Sequence, residues 1–139
     1  MEITRETDYA IRCILRMSRN PDAILMVEQI SEEMAIPRSF LAKILQKLSK
    51  ADIVKSFRGV RGGFRLSRGP ESISILDVVE AIEGRVAMNE CAVDASSCSL
   101  ASTCCVHPVW VSLRRKVETH LGEANFGDLL RGSRRRAKK

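Results

Sequence analysis

The sequence has no apolar run long enough to cross a bilayer, and its first residues lack the apolar stretch of a secretory leader. A cytoplasmic protein is the expectation, and a reducing cytosol disfavours disulfides. No Gly-Lys-Ser/Thr follows a glycine-rich turn, and no glycine fingerprint sits between a strand and a helix, so neither a P-loop nor a dinucleotide site is read. With no Cys-x-x-Cys pair and no constellation that would position a substrate, the sequence argues against an enzyme, and it shows no internal repeat. Aromatic residues make up only 4%, as suits a helical protein, while 45% hydrophobic content suffices for a core. A length of 139 residues suggests one domain, or a small domain with an appendage.

Acidic residues are scarce in one region. Pro37 to Arg68 holds nine basic residues against the single acid Asp52, whereas Glu71 to His107 holds six acids and only Arg85. The last nine residues carry six basic groups, and without them the net charge of +6 falls to zero. The high pI is thus an effect of the tail, but the segregation within the body is the footprint of a polyanion-binding face.

Ala10, Ile11, Ile14, Leu15 and Met17 recur at helical spacing, which predicts a helix from about Thr4 to Arg19. Cys13 falls in that pattern and reads as a buried small hydrophobe. A short helix over Val27 to Met34, a turn at Ala35-Ile36-Pro37 and a helix over Arg38 to Lys50 make a helix-turn-helix. Its second helix turns Leu41, Ile44, Leu45 and Leu48 inward and leaves Lys43, Lys47 and Lys50 on other faces. Ile53 to Phe57 and Phe64 to Ser67 read as paired strands around the glycine-rich tip Arg58-Gly59-Val60-Arg61-Gly62-Gly63. A basic hairpin directly after a helix-turn-helix is a wing, suited to phosphates and the minor groove. The candidate DNA contacts are Arg38, Ser39, Phe40, Lys43 and Lys47 on the second helix and Arg58 and Arg61 in the wing.

Ser74 and Asp77 frame the start of a further helix that stops at Gly84. Pro108 opens a helix to about Leu121, on which Val109, Leu113, Val117 and Leu121 form a stripe that can pack on its own domain or on a second copy. A dimer is preferred, because a palindromic operator demands two reading heads. His120 reads as a surface residue, and Phe126, Leu129 and Leu130 as part of a last short turn.

Between these helices lie Cys91, Cys98, Cys104, Cys105 and His107, separated mostly by small residues. Thiolates are soft ligands for iron and zinc, imidazole serves both metals, and such a segment can close a metal site or an iron–sulfur cluster. The spacing is not that of a zinc finger. Disulfides or thiols without a common role are the competing readings.

These residues together resemble the family of IscR and NsrR, bacterial winged-helix regulators that carry iron–sulfur clusters. The resemblance rests on Thr7-Asp8-Tyr9-Ala10, Ser39-Phe40-Leu41, Arg58-Gly59 with Gly62-Gly63-Phe64, Ile75-Leu76-Asp77-Val78-Val79 and the three spaced cysteines. It implies a mostly α fold with a small β-wing, a winged helix-turn-helix plus a long C-terminal dimerisation helix. The expected division is residues 1–84 as the DNA-binding domain, 85–107 as the cysteine-rich cluster loop and 108–130 as the dimerisation helix and C-terminal turn, while the charge of 131–139, beyond the resemblance, reads as a basic disordered tail. The implied function is a cytoplasmic homodimeric transcription regulator, usually a repressor, that binds double-stranded DNA at palindromic operators and no membrane. Its cofactor would be an iron–sulfur cluster, 2Fe-2S first and 4Fe-4S as the alternative, responding to iron–sulfur status, redox stress or nitric oxide. Cys91, Cys98 and Cys104 match the cluster thiolates. His107 matches the IscR histidine ligand, and Asp8 matches a carboxylate supplied by the partner subunit in some NsrR proteins. Six residues separate Cys91 from Cys98, one more than the commonest IscR spacing, and Cys105 is an additional thiol able to replace Cys104. A structural zinc in the same loop and a thiol redox protein are the alternative readings.

Overall fold

The computed structural model describes residues 2–137. Among these residues the chain forms six α-helices and one two-stranded antiparallel sheet. Helix α1 (Arg5–Ser18) begins at Thr4, whose hydroxyl accepts from the Thr7 amide at 3.2 Å. That bond satisfies one of the amides left open at a helix start. Helices α2 (Val27–Met34) and α3 (Arg38–Lys50) are joined through Ala35, which takes a left-handed conformation at φ 53, and through the buried Ile36. Leu41, Ile44, Leu45 and Leu48 of α3 are wholly buried, as the spacing predicts. Each contributes about 1.5–3 kcal/mol by leaving water, and together they fix which face of α3 is left for a ligand.

Strands β1 (Val54–Phe57) and β2 (Gly63–Leu66) pair from Val54 opposite Leu66 to Phe57 opposite Gly63. The second strand therefore starts one residue earlier than predicted. Leu25 joins the sheet by two backbone hydrogen bonds of 2.8 Å with Phe64, which ties the wing to the segment before α2. This approach explains Gly63, since a Cβ there would lie 2.3 Å from the Leu25 carbonyl oxygen. At Gly62 a Cβ would lie 2.4 Å from the Phe57 carbonyl oxygen, inside the hairpin itself.

Helix α4 (Ile75–Glu83) carries the capping box expected from the sequence, with the Asp77 amide donating to the Ser74 hydroxyl and the Ser74 amide to the Asp77 carboxylate. It packs on α1, α3 and α5 (His107–Glu123). No residue of α5 is fully buried, and Val109 and Leu113 stand exposed on its predicted stripe. Among the described residues, no helix is long and apolar enough to cross a membrane.

The C-terminal segment departs most from expectation. Instead of a short turn followed by a disordered tail over 131–139, helix α6 runs from Phe126 to Ala137. Residues 138 and 139 lie outside the described residues. Asn125 accepts from the Asp128 amide, and Arg134, Arg135 and Arg136 complement the negative end of the helix dipole. Phe126 is fully buried in the winged-helix core, and its backbone N–H donates to the Ile73 carbonyl at 3.0 Å. The basic residues thus extend a helix that is anchored on the winged-helix core.

Candidate functional site

The residues proposed to read DNA lie on α3 and the wing. Arg38, Ser39, Phe40 and Lys43 are exposed, and so are Arg58 and Arg61 at the wing tip. Arg38 is paired with Glu28 of α2. Phe40 meets the Tyr9 ring edge-on at 5.9 Å between centroids, and the Arg12 guanidinium lies 5.5 Å from the centre of the Tyr9 ring. Arg65 covers the Phe57 ring at 4.8 Å, stiffening the wing, and Val60 at its tip is fully exposed. Lys43, Gln46, Lys47 and Lys50 line a shallow cleft of about 380 Å³ with Phe40 and Glu6. Lys47 is half-buried there and paired with Glu6 at 2.8 Å. Residue spacing gave no sign of that last contact, because it joins two helices far apart in the chain.

The wing is buttressed from below. Arg68 donates to the Ser72 carbonyl at 2.8 Å and the Asp52 carbonyl at 3.1 Å, and reaches the Asp77 carboxylate at 3.3 Å. One guanidinium thus joins the turn after α3, the end of the wing and the start of α4.

The cysteine loop connects α4 to α5. Cys91 is half-buried in the middle of the short 3-10 turn Glu90–Ala92, whereas Cys98, Cys104 and Cys105 are exposed, and all are free thiols. Cys13 is different in kind: it is wholly buried in α1, and burial pushes its thiol up to about 12, so it stays protonated and unreactive. His107 opens α5 and lines a cleft of about 420 Å³ with Cys98, Ser96 and Ser102. Its Nδ1 is buried without a hydrogen-bond partner, an expensive state for an imidazole nitrogen unless a ligand meets it. Among the described residues, no three His, Cys, Asp or Glu side chains lie close enough together to hold a metal ion. The sequence-predicted ligands therefore share a loop and a helix start but are not gathered into one site. The donor set itself, soft thiolates with one unpartnered imidazole, suits iron or zinc.

Asp8 forms the ordinary ion pair with Arg12 one turn on, at 2.8 Å. Such exposed pairs are worth about 0.3–0.5 kcal/mol. Both residues line an open cleft of about 800 Å³ with Tyr9, Thr4 and Ala35. Two further residues carry geometry that sequence patterns do not reveal. Glu83, the last residue of α4, accepts from the Thr4 amide at 3.0 Å and from the Thr4 and Thr7 hydroxyls at 2.8 and 2.6 Å. Burial opposes its ionisation, but the hydrogen bonds from Thr7 and Thr4 outweigh that cost and hold its pKa below the usual carboxylate range. Arg114 of α5 reaches back to the cysteine loop, donating to the Val86 and Ala92 carbonyls at 3.0 and 2.9 Å.

A helix-turn-helix followed by a basic two-stranded wing defines a winged-helix protein. Residues 3–132 match the Rrf2 family, described as iron-dependent transcriptional regulators, and the chain belongs to that family. It is 30% identical over 135 residues to the HTH-type transcriptional regulator IscR of Vibrio campbellii, a match spanning 94% of this chain and 78% of that one. The fold is similar to T. potens IscR, with a TM-score of 0.73 at 21% identity over 96% of this chain and 88% of the other. It is also similar to CymR, the global cysteine regulator of B. subtilis, with a TM-score of 0.74 at 22% identity over 93% and 95% of the two chains. The relatives are transcription regulators and not enzymes, and the chain is a DNA-binding transcription regulator of the same type.

Proposed function

We propose that the protein is a cytoplasmic homodimeric regulator, acting as a repressor, whose DNA binding is controlled by an iron–sulfur cluster in the 85–107 loop. Cys91, Cys98 and Cys104 would hold the cluster, with His107 as fourth ligand and Asp8 of the partner subunit as the alternative. The observation that carries this reading is the buried, unpartnered Nδ1 of His107 beside Cys98 at the junction of the loop and α5. When bound, such a cluster supplies a group that iron supply, oxidants or nitric oxide alter chemically. The chain's own residues do the rest. The loop must close to bring the thiols together, and its two ends lead directly into α4 and α5. Arg68 passes any shift of α4 to the wing. The open stripe at Val109 and Leu113 supports pairing of two copies through α5, which would set the spacing of two reading heads on a palindromic operator. Arg58 and Arg61 enter or flank the minor groove, while α3 lies in the major groove with Arg38, Ser39, Phe40, Lys43 and Lys47 toward the duplex.

The test is anaerobic purification or reconstitution with iron and sulfide analyses and absorption spectra. A coloured protein with stoichiometric iron and sulfide is expected, and its spectrum assigns 2Fe-2S or 4Fe-4S. His107→Ala is expected to alter the absorption and resonance spectra, with Asp8→Ala unchanged. The reverse pattern would move the fourth ligand to the partner subunit. A colourless protein holding zinc would replace the cluster with a structural metal, and a metal-free protein with reactive thiols would leave a thiol sensor.

A further inference from the structure

The cysteine loop is pinned unequally. Arg114 lies on α5 and is mostly buried, with Glu118 at 2.8 Å from its Nε. The same guanidinium bonds the Val86 carbonyl through Nε and the Ala92 carbonyl through Nη1. These two carbonyls bracket Cys91, and both Val86 and Ala92 are themselves buried. The turn is tightened further by the Ala92 amide bond to the Asn89 carbonyl at 3.1 Å. By contrast, the hydrogen bonds of residues 98–105 among the described residues all stay within 95–105, and Cys98, Cys104 and Cys105 are exposed.

Arg114 follows His107 by seven residues on the same helix. Seven residues bring an α-helix back to within about 20° of the same face, roughly 10 Å along its axis. The guanidinium therefore fastens the Cys91 segment to the face of α5 that carries His107. We infer that Arg114 is a positioning residue that holds Cys91 on the His107 face of α5, so that metal binding has less of the loop left to order. This rests on the reading of the loop as a metal or cluster site. Its physical basis is preorganisation: a ligand already held in place loses less conformational freedom when the metal arrives. It also explains why an arginine stands in a helix whose exposed face would serve as well with lysine, since only the planar fork spans two carbonyls at fixed separation.

The experiment uses the full-length metal-free protein and cobalt(II) alone as probe, with the thiolate-to-cobalt charge-transfer bands as readout. Arg114→Ala and Arg114→Lys are compared with wild type, each also in a Cys91→Ser background. In the wild-type background both substitutions are expected to weaken cobalt binding by about tenfold, the low end of the loss when a ligand-orienting partner is removed. The charge-transfer intensity per cobalt should fall to that of Cys91→Ser. In the Cys91→Ser background they should add nothing, because the interaction they remove acts through that thiol. Mass-spectrometric alkylation of the apo protein should show Cys91 reacting faster in Arg114→Ala, with Cys98 unchanged. An equal loss of cobalt affinity in both backgrounds, or unchanged alkylation of Cys91, would overturn the inference and make Arg114 a general brace. If wild type binds neither cobalt nor iron, the proposed function and the ligand role of Cys91 both fall. The alkylation rates then still show whether the clamp itself exists.

Discussion

At the residue scale, the ion pair between Glu6 and Lys47 bears on the proposed DNA-binding face. Both side chains are partly exposed, so the pair is worth at most about 1 kcal/mol to stability. Its larger effect is on the interface, where a carboxylate beside the α3 cleft repels phosphates and occupies an ammonium that would otherwise meet one. Glu6→Gln is therefore expected to tighten DNA binding and to steepen the dependence of log affinity on log salt by about one unit. Titrations of one duplex over a range of salt concentrations check this. An unchanged slope would place Lys47 outside the interface. The basic residues of α3 and the wing were readable from residue type and position alone. The carboxylate that tempers them was not, because helical periodicity says nothing about which surface residues of two distant helices meet.

At the scale of elements, α4 is the hub between the DNA-reading face and the loop. Its capping-box start and its stop at Gly84 were both legible, but the contacts of Glu83 were not, because they run to α1 rather than within its own helix. The bonds from Thr4 and Thr7 favour the charged carboxylate and keep its pKa in the folded state below the ordinary value. A group shifted in that direction contributes stability that is complete above its unfolded pKa and is lost as pH falls through the folded one. Glu83→Gln keeps an acceptor but removes the charge, so it resembles the protonated wild type. The stability difference between the two is expected to be full above the ordinary glutamate pKa of about 4.3 and to disappear only in stronger acid, as Glu83 takes up its proton in the folded state. Denaturant unfolding across that range measures it, and a difference that persists undiminished in acid would mean that the charge of Glu83 is not what ties α4 to α1. Helix α6 was the least legible element. Phe126 looked like one apolar residue in a terminal turn, yet it completes the winged-helix core. That contact is made possible by α5, a helix of 17 residues that spans roughly 25 Å and returns the chain to the first domain.

At the scale of the whole molecule, the wing, α3 and the cysteine loop are separate pieces of chemistry joined by α4, Arg68 and α5. The winged helix was legible because the alternation of hydrophobic residues, the glycine-rich tip and the charge segregation all agree. The cysteine loop was legible only as a set of candidate ligands, since small and polar residues carry no periodicity that fixes their positions, and the described residues do not bring three of them together. An effect of the loop on DNA affinity requires that its closed and open arrangements differ in their preference for the bound geometry. The most direct measurement is anaerobic DNA binding by cluster-loaded and stripped protein at one salt concentration, on duplexes selected from a random library with each form. The proposed control predicts that affinity for at least one selected sequence differs by about 5–150-fold between the two forms. Equal affinity of both forms for every selected duplex would contradict it.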